Sequence, residues 1–314
     1  MVGEMGARRV SILAAVFVVV GLLGGVTAVT ASAESLPEFG RCLPAETTKE
    51  TKKNGTEKTV YHGKFSSKTC LHPSAKGTGK WEWYPGPGTA NHFYGIGEEP
   101  VLETPAGEKI DCTIAVFSGE YTGVKSLKGS IDFEGCTISS SNQTCQSETA
   151  LNGGTIDAKS EFTGELGQIG PGTREPVVGW LFKPSSGTTM YEFYCGAFPT
   201  VTEPFPSVES RWTVEGSVIG TLLRKAFYTG DLNKMSKVAV MKFAQSHGAQ
   251  SPSSFEGGSS PAQMSATIID LKKAPPTTTT EDLGFETIAE NGSGTGESRE
   301  NPEVEEPSEV KTRP

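Results

Sequence analysis

One long apolar run, residues 10–29, opens the chain, and no later stretch repeats its length. Beyond Glu34 the apolar residues come in short alternating sets broken by Gly, Pro, Ser and Thr. Ile110, Cys112, Ile114 and Val116 fall on one face of an extended segment, with Asp111, Thr113, Ala115 and Phe117 on the other. Ile131 with Phe133, Ile156 with Ala158 and Phe162, and Tyr191 with Phe193 and Cys195 repeat the two-residue period. Residues 60–65, 92–96, 177–182, 237–243, 265–271 and 284–289 read as further strands. Residues 212–223 read as one strand in which Gly216 and Gly220 mark a bulge or a close backbone approach. A single short helix is expected over 222–235. The pattern predicts an all-β single domain over residues 60–290, sandwich or barrel-like.

The flanks differ in kind. Arg8-Arg9, the apolar run and Ala31-Ser32-Ala33 form a charged start, an apolar middle and a cleavage site, so residues 1–33 are predicted to be a signal peptide cut after Ala33. The alternative is an uncleaved anchor, since about 20 apolar residues suffice to span a bilayer. Residues 34–59 read as a polar, mobile lead-in. Residues 291–314 are Gly/Ser/Glu/Pro-rich and acidic, with too little apolar surface to offset their ordering entropy, and are expected to be a disordered tail.

Composition sharpens this. Of 314 residues 35% are hydrophobic and 21% charged, with 38 Gly and 20 Pro, which disfavours a helical bundle. The net charge of −9, with no Lys/Arg stripe, excludes a nucleic-acid footprint. Six cysteines without a CxxC, behind an export signal, read as a disulfide set. Fifteen pairings are open to them. Cys112 and Cys195 each share a face with apolar residues, Cys136 and Cys145 bracket a polar loop, and Cys42 and Cys70 remain. The expected bridges are therefore Cys42–Cys70, Cys112–Cys195 and Cys136–Cys145.

The order of Ile110, Cys112, Gly119 to Gly123, Phe133, Gly135, Cys136, Cys145, Gly154, Ile156, Gly164, Leu166, Gly167, Val178, Gly179, Leu181, Phe193 and Cys195 resembles a group of exported, cysteine-containing β-rich proteins of soil actinobacteria. Pro37 to Cys42, Asn233 to Met235 and Phe255 to Gly258 fit it too. The resemblance runs from Leu36 to about Glu290 and implies one domain; it implies no activity.

Chemistry is sparse. His62, His72, His92 and His247 show no metal-ligand spacing, and no GxSxG elbow, phosphate loop or EF-hand loop occurs. Glu120, Asp132, Glu134, Asp157 and Glu161 are available for a glycosidase pair, but sit where solvent-facing strand positions fall. Trp81 and Trp83 alternate with Glu82 and, with Tyr84, make a candidate strip for stacking on sugar rings. The expectation is a secreted, non-enzymatic structural or interaction protein without cofactor, metal, nucleic acid or membrane once the signal is removed. The alternative is a carbohydrate-binding or carbohydrate-acting protein centred on the tryptophans, with a glycan or cell-envelope component as partner.

Overall fold

The computed structural model describes residues 37–88, 91–147, 153–169, 177–198, 207–224, 239–256, 261–291 and 309–311. The signal segment, residues 225–235 of the expected helix and most of the acidic tail lie outside them; the first three residues of that helix, 222–224, are strand instead, held in a ladder. The described residues are all-β apart from one 3-10 turn, and every strand pairing is antiparallel.

A small N-terminal unit comes first. β1 (Glu38–Pro44) pairs with β4 (Trp81–Pro85), and β2 (Thr47–Thr51) with β3 (Glu57–Tyr61). The polar lead-in is therefore structured. It escaped the pattern because β2 is exposed at every position and is held by its ladder and a turn at Gly55, not by burial. The expected strand at 60–65 is replaced by β3, which ends at Tyr61, and by isolated bridges at Gly63 and Phe65. The last strand, Glu309–Lys311, pairs with β1, so three residues of the acidic tail are held in a ladder.

The remaining strands are β5 (His92–Glu103), β6 (Lys109–Asp111), β7 (Ile114–Tyr121), β8 (Ser126–Glu134), β9 (Thr137–Ile138), β10 (Gln143–Gln146), β11 (Phe162–Ile169), β12 (Val177–Pro184), β13 (Thr189–Ala197), β14 (Ser207–Gly216), β15 (Val218–Arg224), β16 (Ala239–Phe243), the β17–β18 hairpin (Gln245–Ser246, Ala249–Gln250), β19 (Met264–Asp270) and β20 (Thr277–Asn291). All but the β17–β18 hairpin close into two rings that share one ribbon. The first runs β5-β7-β8-β11-β12-β15-β16-β20 and the second β5-β6-β9-β10-β13-β14-β19-β20. Each closes through the β5–β20 pairing, so both belong to one sheet without a free edge. One contiguous hydrophobic cluster runs through both.

The hand-over between rings is a crease across three neighbouring strands. In β5 the inward residues are Gly95 and Gly97, then Pro100 and Leu102. Glu98 faces Ile288 and Val101 faces Glu286, so β5 holds one extra residue there, a bulge with Glu99 at φ 47°. The same one-residue change occurs between Cys112 and Ala115, and between Phe133 and Cys136 where Gly135 takes φ 65°. Three bonds align these breaks: Glu99 N donates to Thr113 O (3.2 Å), Cys112 N to Pro100 O (2.9 Å) and Thr113 N to Glu134 O (2.8 Å).

Two sequence expectations fail at this crease. Residues 110–116 are two strands, not one: Ile110 and Cys112 turn inward before the break, Ala115 and Phe117 after it. β5 does not stop at Ile96, because Pro100 sits at the bulge, where its missing N–H leaves no ladder bond unmade. Residues 212–223 likewise divide, at Gly216 (φ 112°), into β14 of one ring and β15 of the other.

All six cysteines are bridged, but only Cys42–Cys70 matches the expected pairing. The others are Cys112–Cys136 and Cys145–Cys195, not Cys112–Cys195 and Cys136–Cys145. Cys112 and Cys195 face the core as expected, and Cys136 and Cys145, expected only to bracket a loop, are buried there too, each of the four being 6% exposed or less. What decides the partner is register: Cys145 lies opposite Cys195 on β13, and Cys112 and Cys136 occupy adjacent breaks of the crease, with Cα atoms 3.9 Å apart.

Phe133 and Phe285 join the two halves of the core. Phe133 packs on Tyr191 and Phe285 (both 5.3 Å between centroids), and Phe285 packs on Phe243 at 4.7 Å. Phe133→Ala should lower the unfolding free energy by about 3–5 kcal/mol, read by denaturant titration; a loss under about 1 kcal/mol would contradict this packing. Non-reducing peptide mapping should return Cys112–Cys136 and Cys145–Cys195 peptides, and a Cys136–Cys145 peptide would refute the register.

Candidate functional site

The aromatic trio does not form one strip. Trp83 lies opposite Cys42 and Trp81 opposite Pro44 in the β1–β4 ladder. Both indoles are half-buried and pack on the cluster of Cys42, Cys70 and Phe65. A β-carbon on Gly40 would come within 2.6 Å of Trp83 Cζ2, so the indole lies directly over that glycine. Tyr84, the next residue along the strand, is turned to the other face and is 38% exposed. Two members of the trio thus pack the disulfide and the third faces solvent.

The acidic candidates are separate scaffold groups. Glu120 lies opposite Lys128 across β7–β8, ion-paired at 3.0 Å, and accepts from Asn91 Nδ2 at 3.3 Å. The Lys128 hydrogen bond holds its carboxyl below the usual range. Asp132 accepts from Ser130 Oγ (2.8 Å) and from the Ala158 amide (2.9 Å), fastening the segment before β11 onto β8. Glu134, Asp157 and Glu161 are exposed. His62 meets Thr48 at 2.8 Å and His247 meets Ser246 at 3.2 Å, while His72 and His92 are exposed. Among the described residues no three His, Cys, Asp or Glu side chains gather as a metal site.

Two other ionisable groups are tied into the fold. Burial opposes ionisation of Glu192, yet the Arg211 guanidinium at 2.6 Å and Lys159 at 3.6 Å outweigh it and hold the carboxyl low. The Tyr191 hydroxyl donates to Ile131 O at 2.9 Å; burial, and then the charge of Asp132, push it well above its ordinary value. Neither is poised for chemistry near neutral pH.

A different surface stands out. On the outside of the shared ribbon, Tyr94, Ile96 and Glu98 of β5 lie beside Glu286, Ile288 and Glu290 of β20 and Lys242 of β16. They line a trough of about 840 Å³. Ile288 is 50% exposed, Tyr94 41% and Ile96 39%. Their inward neighbours on β5 are glycines, so the ordinary alternation is inverted: the large apolar side chains face out. The bulge sends both Glu98 and Glu99 to the rim. Among the described residues none of Glu98, Glu99, Glu286 and Glu290 is ion-paired. The signal in the sequence was Tyr94-Gly95-Ile96-Gly97, in which alternation is clear but its direction is not.

Searches against family models, curated proteins and solved structures return no match for this chain.

Because the folded values of Glu120 and Glu192 lie below the ordinary 4.5, their stabilisation is present above that value and lost as pH falls through the lowered ones. Tyr191 acts oppositely: its raised value gives stabilisation present below 10 and lost above it. The denaturant midpoint should hold through neutrality and fall at both extremes. Glu192→Gln should blunt the acid limb; an unchanged limb would contradict the Arg211 pairing.

Proposed function

We propose that this chain is an exported, non-enzymatic interaction protein that holds a basic, apolar-bearing stretch of an extracellular protein in the trough over β5, β20 and β16. Export rests on the charged start, apolar run and Ala31-Ser32-Ala33 site, with cleavage after Ala33. Three disulfides accord with an oxidising compartment. The resemblance to exported β-rich proteins of soil actinobacteria agrees with this.

The trough's composition is the observation that carries the binding reading. Tyr94, Ile96 and Ile288 offer contiguous apolar surface, and among the described residues four carboxylates face a single lysine, Lys242. Exposed apolar surface with a charged rim is characteristic of recognition sites. The surplus of negative charge steers a cationic partner and rejects an acidic one. Binding is favoured over catalysis because Glu120, Asp132 and Glu192 are already committed to ion pairs or hydrogen bonds within the scaffold.

Fluorescence anisotropy with a labelled alternating Lys/Leu decapeptide, and its Glu/Leu counterpart, tests the reading. The basic peptide should bind the mature chain and weaken steeply with added salt. Glu98→Gln with Glu286→Gln and Glu290→Gln should weaken it by about tenfold, at unchanged thermal stability, since all three side chains are exposed. Equal binding of the acidic peptide, or no effect of the triple substitution, would refute the trough.

A further inference from the structure

The first ring is not filled by its own side chains. A cavity of about 50 Å³ lies inside it, and every one of its strands contributes to the wall. Phe117, Phe162 and Phe182 line it toward the middle of the molecule, and Trp180, Leu222 and Met241 toward the end where β7 turns into β8. An eight-stranded ring is just wide enough for side chains to fill or for one small ligand to enter.

Among the described residues, no charged side chain lines it. The Ser130 hydroxyl donates to Asp132 at 2.8 Å and lies 3.2 Å from Ser118 Oγ. Water needs two to four polar partners to occupy a buried space at little cost, and this wall does not supply them. A space too apolar for water gains dispersion contacts and releases nothing when hydrocarbon enters it.

The end of the ring at Tyr121 is closed by the N-terminal unit. Phe39 of β1 is 3% exposed and stacks on Tyr121, with centroids 3.9 Å apart and planes 18° apart. Its amide donates to Val124 O (2.6 Å), and its carbonyl accepts from Gly86 N (2.8 Å). Tyr121 in turn touches Phe93 and Trp180, both of the cavity wall. Phe39 belongs to a strand outside the ring, so it can lift off Tyr121 without breaking the ring's ladder.

We propose that this cavity is a binding site for the neutral hydrocarbon part of a small ligand, with Phe39 as its stopper. A group of a few carbon atoms fits the closed ring, and a longer chain enters where Phe39 moves aside. The site lies on the inner face of the sheet and does not depend on the trough outside it.

Methyl-resolved NMR of the whole mature chain, first under xenon pressure and then with n-hexane, tests this. Xenon should shift the methyl signals of Leu127, Ile131, Leu222 and Met241 saturably, and those of exposed Leu71 and Leu271 only linearly. Leu222→Phe should lower xenon affinity by about tenfold by filling the space. Phe39→Ala should act in the opposite direction, raising hexane affinity by about tenfold. If Leu222→Phe fails to fold, the Phe39→Ala arm and the wild-type titration still decide. Unsaturable shifts at the four wall methyls, or a folded Phe39→Ala variant with no gain for hexane, would overturn the proposal.

Discussion

Everything in this molecule hangs on the β5–β20 ribbon and the crease beside it. Strand alternation is strict, so a strand shared by two rings must keep its apolar face inward in both. β20 manages this without a break, since Leu283, Phe285, Thr287 and Ala289 are all buried. β5, the β6–β7 pair and the β8–β9 pair instead shift by one residue at the same level. A lone bulge would leave the neighbouring ladders out of step. Three aligned breaks, cross-linked by the Cys112–Cys136 bridge, keep Leu102, Ile110 and Ile138 inward on one side and Gly97, Ala115 and Phe133 inward on the other.

The crease also shapes the two surfaces argued to bind. Because Gly95 takes an inward position of β5 before the bulge, it leaves room along the wall of the first ring's cavity while Tyr94 and Ile96 crowd the outside. The bulge adds Glu98 and Glu99 to the same outer rim. One local departure from regular strand geometry thus produces an apolar interior and an acidic, partly apolar exterior on opposite faces of one ribbon. The N-terminal unit completes the arrangement by placing Phe39 over Tyr121, and the packing of Trp81 and Trp83 on the Cys42–Cys70 bridge gives β1 a rigid support.

Much of this was legible in the order of residues. The all-β class followed from short two-residue alternations, and Tyr191, Phe193 and Cys195 share a buried face as the period requires. Local signals ran out where tertiary pairing decides. Alternation over 110–116 looks like one strand because the break at Cys112–Thr113 adds no glycine or proline. The strand read over 92–96 stops short of its real extent because tolerance of Pro100 within β5 depends on an unneeded donor. Cysteine partners follow register, which the faces alone do not carry. The trough was invisible for a related reason: alternation says that Tyr94 and Gly95 face opposite ways, and only the ring's closure says which is inside.

Cross-strand Hα–Hα contacts measured by NMR read directly the one-residue offset in the β5–β20 ladder at Glu99–Pro100. Gly97 should face Ala289 on one side of the bulge and Leu102 should face Phe285 on the other. A single uninterrupted register, with Gly97 facing Ala289 and Leu102 facing Gly284, would contradict it, because the two rings would then share no common ribbon.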